Sequence, residues 1–349
     1  MKGMTILLGE WNGAEAAALL RDGRLEDLVI DTDAPRPGTI YRAKADRPVK
    51  GQGGMFLSTP DGSAFLRQVK GLSPGEPILV QVTGHAEPGK AIPVTSRILF
   101  KSRHAIVTPG APGLNVSRAI RDEARRDDLL ALANEVLAGH PVLALDPPAG
   151  LILRSAAEAA EDHDIATDIA AMADLCAAVL GDLAGQPEKL VEGDGPHDFA
   201  WRDWPDAPVD DSATAFADHD VATLIEALHR PEVRLSGGAS MWIEPTRAMV
   251  AVDVNTGGDT SPAAGLKANL AAARDLPRQL RLRGLGGQIV IDPAPMPKKD
   301  RKSFEGALRA ALKGEQFETV LAGWTQMGLY ELQRQRARAP LPPLTDGPA

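Results

Sequence analysis

The chain opens on two short apolar runs, TILLG at 5–9 and DLVID at 27–31, which read as buried strands. The Ala-rich segment 14–21 between them reads as a helix. A Pro/Gly hinge, APRPGT at 34–39, follows. From 39 to 100 the texture changes to short alternating runs cut by Gly, Pro and Asp: TIYRAKA, GMFLS, SAFLRQV, EPILVQVTG and KAIPVTSRILF. Turn signals at such close intervals predict a small antiparallel barrel. Helical periods then take over. Residues 117–137 read as a charged amphipathic helix, and 141–155 as strand, turn, strand. Ile165, Ile169, Met172, Leu175 and Val179 mark one face of a further helix. Residues 185–213 are polar, rich in Gly, Pro and Asp, and read as a loop.

From Val221 the pattern is helix (221–230), two short strands (232–236 and 240–245) around a Gly-Gly turn, and a third strand at 247–255. A long helix (262–283) interrupted by Pro277 leads to a buried strand, QIVID, at 288–292. Helix 299–313, strand 319–323 and a basic helix at 325–337 complete the pattern before a Pro-rich tail, 339–349.

Composition narrows the class. Apolar residues make up 44% and charged residues 24%, which suits a globular chain with a real core. No apolar run approaches the roughly 18 residues of a membrane helix, and MKGMTILLGEWNG is no signal peptide, so a cytoplasmic protein with no membrane partner is expected. The single cysteine, Cys176, excludes internal disulfides and a Cys-x-x-C zinc site. Net charge is −9, but residues 274–338 hold 13 Lys and Arg against 7 Asp and Glu, a local excess that permits polyanion binding.

The sharpest chemical signal is a pair of strands ending in acids. Asp253 and Asn255, two apart in MVAVDVN, project from one side of their strand. QIVID delivers Asp292 at its C-terminal end. If the two strands are parallel neighbours joined by the long helix, both ends meet on one sheet edge, where α/β sheets bind ligands. Two carboxylates and an amide there form a hard-oxygen site suited to Mg²⁺. The alternative is that strand-end Asp residues cap the helices or turns that follow.

The stretches EVRLSGGASMWIEPTRAMVAVDVNTG, ANLAAARDLPRQLRLRGLGGQIVID and LYELQRQRAR resemble the catalytic core of the ribonuclease E/G family. GTIYRAKADRPVKGQGGMFLSTPDGSAFLRQV resembles that family's OB-fold RNA-binding insert, LILRSAAE its 5′-end sensing segment, and SRHAIVTPGAPGLNVSRAI the strand and helix between them. The order is the family's, from about residue 1 to 338. The resemblance implies an α/β, multi-subdomain fold: an RNase H-like scaffold (1–38 and 166–230), interrupted by an OB-fold insert (39–102) and a 5′-end sensor (103–165). A DNase I-like catalytic subdomain (231–338) and a disordered tail (339–349) follow.

The function so implied is endonucleolytic cleavage of single-stranded RNA to 5′-phosphate and 3′-hydroxyl products, in RNA and rRNA processing or decay. Asp253 and Asp292 would hold Mg²⁺, with Mn²⁺ as the substitute ion and no zinc, and Asn255 would orient water or a phosphate oxygen. Phe56, Phe65 and Lys90 match RNA-contacting positions, although both rings also suit the core of a small barrel. Arg154 and Ser155 match the pair that binds a 5′-monophosphate, with Ile106 beneath the pocket.

The family pattern also breaks. Its Asp-Phe-Ile-Asp-Met reads Asp292-Pro293-Ala294-Pro295-Met296 here, losing one acid and one aromatic. The pocket's late Arg falls near Thr319, and the Cys-rich zinc link between protomers is missing. The expectation is therefore a monomer or weak dimer rather than a zinc-linked tetramer. A catalytically weak or silent RNA-binding protein is the rival reading. GLSPG at 71–75, the sequon at Asn115 and the EDHD run at 161–164 read as a loop, a coincidence and a helix start.

Overall fold

A computed structural model describes residues 3–49, 53–69, 71–261 and 263–344; the end of the expected tail, 345–349, lies outside them. The chain divides into two compact units, 33–206 and a second formed by 1–32 with 207–349. Among the described residues no helix is long and apolar enough to cross a membrane.

The N-terminal segment is a three-strand meander, β1 (Met4–Trp11), β2 (Ala14–Arg21) and β3 (Arg24–Ile30). Residues 14–21 are therefore a strand, not the expected helix. The turns override the helical propensity of Ala. Asn12-Gly13 and Asp22-Gly23 all sit at positive φ and form two-residue loops, the hairpin geometry that Asn-Gly and Asp-Gly favour.

In the unit 33–206, β4 (Ile40–Val49), β5 (Gly54–Thr59), β6 (Gly62–Leu66), β7 (Pro77–Val82) and β8 (Ile92–Thr95) form a closed five-stranded barrel. Pairing of β4 with β7 closes it. Tyr41, Met55, Leu57, Leu66, Val80 and Val94 fill its interior. A four-stranded sheet follows, from β9 (Phe100–Lys101), β10 (Ala105–Thr108), β11 (Gly113–Val116) and β12 (Gly150–Leu153). Two helices share its core, α1 (Glu123–Leu137) and α2 (Asp162–Gly181). The first starts six residues later than expected, because the Asp122 carboxylate accepts from the amides of Ala124 and Arg125 and caps it there. Pro141–Ala144 is a 3₁₀ turn rather than a strand.

The expected loop at 185–213 contains β13 (Glu188–Val191), paired with β4, and a short helix, α3 (Pro196–Asp203), with Pro196 at its first turn. Residues 166–206, expected with the N-terminal scaffold, thus fall in the unit of the barrel. Cys176 is fully buried in α2, and burial pushes its thiol up to about 11, so it packs rather than reacts.

In the other unit β14 (Val209–Asp210) pairs parallel to β1, and two helices, α4 (Ala215–Asp218) and α5 (Val221–His229), follow. Then comes a six-stranded sheet of β15 (Glu232–Arg234), β16 (Ser240–Pro245), β17 (Val250–Asn255), β18 (Gly287–Asp292), β19 (Thr319–Trp324) and β20 (Tyr330–Arg334). Its order is β15-β16-β17-β18-β20-β19. One face carries Met241, Ile243, Val252, Val254, Ile289, Ile291 and Leu332 and shares a core with α6 (Ala264–Leu282) and α7 (Arg301–Leu312). Helix α6 continues past Pro277.

Residues 330–334 form a strand where a basic helix was expected. Tyr330, Leu332 and Arg334 are buried while Glu331 and Gln333 are exposed, the period of two that marks a half-buried strand.

Candidate functional site

The alternation that buries Val252, Val254 and Ile291 turns Asp253, Asn255 and Asp292 to the sheet's other face, where all three are exposed. β17 and β18 are parallel neighbours joined through α6, and Asp253 lies directly opposite Asp292 in their ladder. Neighbouring strands run about 4.8 Å apart, so the two carboxylates stand side by side at one sheet edge. Asn255 Nδ2 donates to Asp253 Oδ2 at 2.7 Å. That bond fixes the carboxylate and leaves the amide oxygen of Asn255 free to accept or to ligate.

The backbone around these three residues is held closely. Gly265, at the start of α6, lies so near Pro295 that a Cβ would collide with its carbonyl oxygen. Asn269, fully buried, accepts from the Ala294 amide and donates to the Ala294 carbonyl, both at 2.9 Å. Asn269 is a positioning residue that the sequence reading missed. It pins the Pro-Ala-Pro loop two residues past Asp292; its signal was a lone Asn at an interior helix position, where a polar amide needs a backbone partner. On the other side Gly257, at φ +64°, brings the turn after Asn255 against Gly238, again leaving no room for a Cβ.

A hard divalent cation fits this donor set. Among the described residues no cluster of three or more His, Cys, Asp or Glu is placed to hold a metal. The groups that would hold an ion here are the carboxylates of Asp253 and Asp292 and the amide oxygen of Asn255. Mg²⁺ commonly takes one or two protein carboxylates and completes its octahedron with water and phosphate.

In the barrel, Phe56 and Phe65 pair across β5 and β6 with ring centroids 5.3 Å apart. They point away from the interior that Met55, Leu57, Ala64 and Leu66 fill, and both are half-buried. The Arg47 guanidinium lies 5.0 Å over the Phe56 ring. Phe65 covers Gly54, whose missing side chain makes space for the ring. Lys90 is exposed and paired with Glu87 at 2.8 Å.

Ile106 and Ile152 face each other across β10 and β12, and Arg154 follows on the same side two residues along. Ser155, itself exposed, opens a 3₁₀ turn whose Ala157 is buried. Arg154 does not present an open fork. Its Nη1 donates to the carbonyls of Ser102 at 2.6 Å and Arg202 at 3.1 Å, and its Nη2 meets Asp203 Oδ1 at 2.6 Å. Asp203 also takes Lys101 at 2.6 Å and Arg202 at 2.8 Å, and its side chain is 1% exposed. Burial alone would raise the Asp203 pKa, but Arg202 and Lys101 outweigh it and hold the carboxyl far below the usual range. Lys101 is lowered as well, in its case chiefly by burial, which disfavours the charged ammonium.

The family model for "Ribonuclease E/G family" matches residues 100–211 and 207–337, more than half of the chain. The chain belongs to the ribonuclease E/G family. Ribonuclease G of Salmonella typhimurium (strain SL1344) is 27% identical, the match covering 92% of this chain and 77% of that protein. Ribonuclease E of Synechocystis sp. (strain PCC 6803) is 26% identical over 92% of this chain and 55% of its own length. Ribonuclease G of Escherichia coli K12 is 27% identical with the same coverage as the Salmonella protein. The second family match, 207–337, contains Asp253, Asn255, Asp292 and Asn269, and the first contains Arg154 and Asp203. The barrel strands β4–β8 precede both.

Proposed function

We propose that the protein is a Mg²⁺-dependent endoribonuclease that cleaves single-stranded RNA to 5′-phosphate and 3′-hydroxyl ends. The observation that carries this reading is the in-register pairing of Asp253 with Asp292 on one exposed face, with Asn255 bonded to Asp253. Asp253 and Asp292 would hold the ion, which when bound supplies Lewis-acid stabilisation of a phosphate and a water of lowered pKa. Asn255 locks the Asp253 carboxylate and offers its own oxygen to orient water. Asn269 and Gly265 fix the loop behind Asp292. The six-stranded sheet with α6 and α7 is read as a DNase I-like catalytic subdomain, and the β1–β3 sheet with β14 as part of an RNase H-like scaffold. The outward pair Phe56 and Phe65 supplies a base-stacking surface on an OB-type barrel.

Incubation of single-stranded RNA with the protein and Mg²⁺ tests this directly, with Asp253→Asn and EDTA as controls. Cleavage lost in both controls is the expected result. Tight binding with no cleavage in any arm refutes the nuclease and leaves an RNA-binding protein. The loop Pro293-Ala294-Pro295 after Asp292, which lacks the second acid of the family pattern, is what favours that second reading.

A further inference from the structure

The ladder register places more than acids in the catalytic row. Glu232, Trp242, Asp253 and Asp292 lie side by side across β15, β16, β17 and β18, all on the exposed face. Trp242 is directly opposite Asp253 on the antiparallel neighbour. Directly opposed side chains have Cβ atoms about 4.5–5.5 Å apart, so the indole stands against the proposed metal ligand. It is 38% exposed, and among the described residues no ring, guanidinium or hydrogen-bond acceptor engages it. The other large aromatics of this sheet differ. Tyr330 is buried, and Trp324 bonds Glu305 while Arg301 covers its ring.

What sets this indole apart is its place beside Asp253, and the chemistry of the surrounding face decides what can lie on it. The face around it carries Glu232, Glu244, Asp253, Asp292 and Glu331 against one cation of the same strands, Arg234, all exposed, so it is net acidic. Like charges disfavour a second copy of the same face, and they disfavour a phosphate on the indole itself. The uncharged π face of an unpaired base meets neither objection. We propose that Trp242 stacks a nucleobase of the RNA strand and so seats the adjacent phosphate at Asp253 and Asp292. The proposal rests on the nuclease reading above and adds a positioning residue to it.

The test uses the full chain, a fluorescein-labelled single-stranded decaribonucleotide, and the variants Trp242→Ala and Trp242→Phe. Binding is read by anisotropy in Ca²⁺ and in EDTA, and cleavage separately in Mg²⁺ with Asp253→Asn beside the wild type. Trp242→Ala should weaken binding in Ca²⁺ at least about fivefold, and Trp242→Phe should restore most of it. An abasic residue moved along the oligonucleotide should cost the wild type affinity at one position and cost Trp242→Ala nothing there. Equal binding by wild type and Trp242→Ala overturns the proposal, even if Asp253-dependent cleavage stands. Trp242-dependent binding without cleavage in any arm supports the stacking role and sinks the nuclease. A change in oligomeric mass on Trp242→Ala, read by light scattering, would assign the indole to a contact between copies and overturn it too. Unchanged thermal unfolding of Trp242→Phe keeps the result readable should the alanine variant fold poorly.

Discussion

Replacing Asp203 by Asn removes one charge from the centre of three. The carboxylate meets Lys101 at 2.6 Å, Arg154 at 2.6 Å and Arg202 at 2.8 Å, and is itself 1% exposed. Asparagine keeps one acceptor oxygen but aims an NH₂ at a cation. Breaking a buried pair by deleting one partner costs about 3–5 kcal/mol. The three cations are 18–31% exposed, so water screens part of the loss and the lower end applies. A loss of about 3 kcal/mol in a unit of this size lowers Tm by roughly 6–12 °C. The pH dependence has a definite sign. The folded pKa of Asp203 is depressed, so its contribution is full above the unfolded carboxylate value of about 3.9 and is lost as pH falls toward the folded value. The gap between wild type and variant should therefore be constant from neutral pH to about pH 5 and narrow below about pH 4. Urea unfolding followed by circular dichroism at pH 7, 5 and 3 measures it. A loss under about 1 kcal/mol at pH 7, or a gap that does not shrink at pH 3, refutes the reasoning.

The same geometry bears on 5′ ends: with Arg154 engaged by Asp203, the wild type should cleave 5′-monophosphorylated and 5′-hydroxyl RNA at indistinguishable rates in matched time courses. Asp253→Asn and Asp292→Asn should each lower kcat by about 10²-fold or more, yet leave stability within about 0.5 kcal/mol because both side chains are exposed. Asn269→Ala strands the amide and carbonyl of Ala294, so it should cost about 2–3 kcal/mol in denaturant titrations and lower kcat more than it raises KM. Lys298 and Lys299, exposed in the loop that follows Asp292, should each neutralise a phosphate. Converting both to Glu should weaken RNA binding and make the slope of log K against log salt shallower by about 0.7 per phosphate no longer neutralised.

What the sequence conveyed well was the chemistry-bearing core. The run VAVDVN alternates cleanly and QIVID is short, apolar and ends in an acid, so strand type and facing followed from period two alone. Their mutual register did not, because pairing is set by tertiary packing; the structure supplies it as Asp253 opposite Asp292. Residues 14–21 misled because Ala favours helix while the decisive information sat outside the segment, in Asn12-Gly13 and Asp22-Gly23. Residues 330–334 misled because basic composition masked the alternation of Tyr330, Leu332 and Arg334. Asp203 carried no sequence signal at all, since its partners Lys101 and Arg154 lie about 100 and 50 positions away.

The basic block at 274–338 changes meaning in three dimensions. Arg278 is tied to Asp275 at 2.8 Å and to the Leu25 carbonyl. Arg281 and Arg334 share Glu315, Arg338 reaches Asp27 at 2.8 Å, and Arg283 is buried against the carbonyls of Leu228 and Arg230. These guanidiniums are spent on joining elements of their own unit, which suits Arg, whose planar fork binds several acceptors at once. The face that carries Asp253 and Asp292 is net acidic, with Glu232, Glu244 and Glu331 against Arg234, so a phosphate approaching the two aspartates meets repulsion rather than the attraction the charge count implied. On the nuclease reading, a divalent ion at those two carboxylates is then needed for the phosphate to dock as well as for the chemistry. Binding of RNA to this face should depend on the ion before any bond is broken, which places the metal ahead of the substrate in the order of assembly.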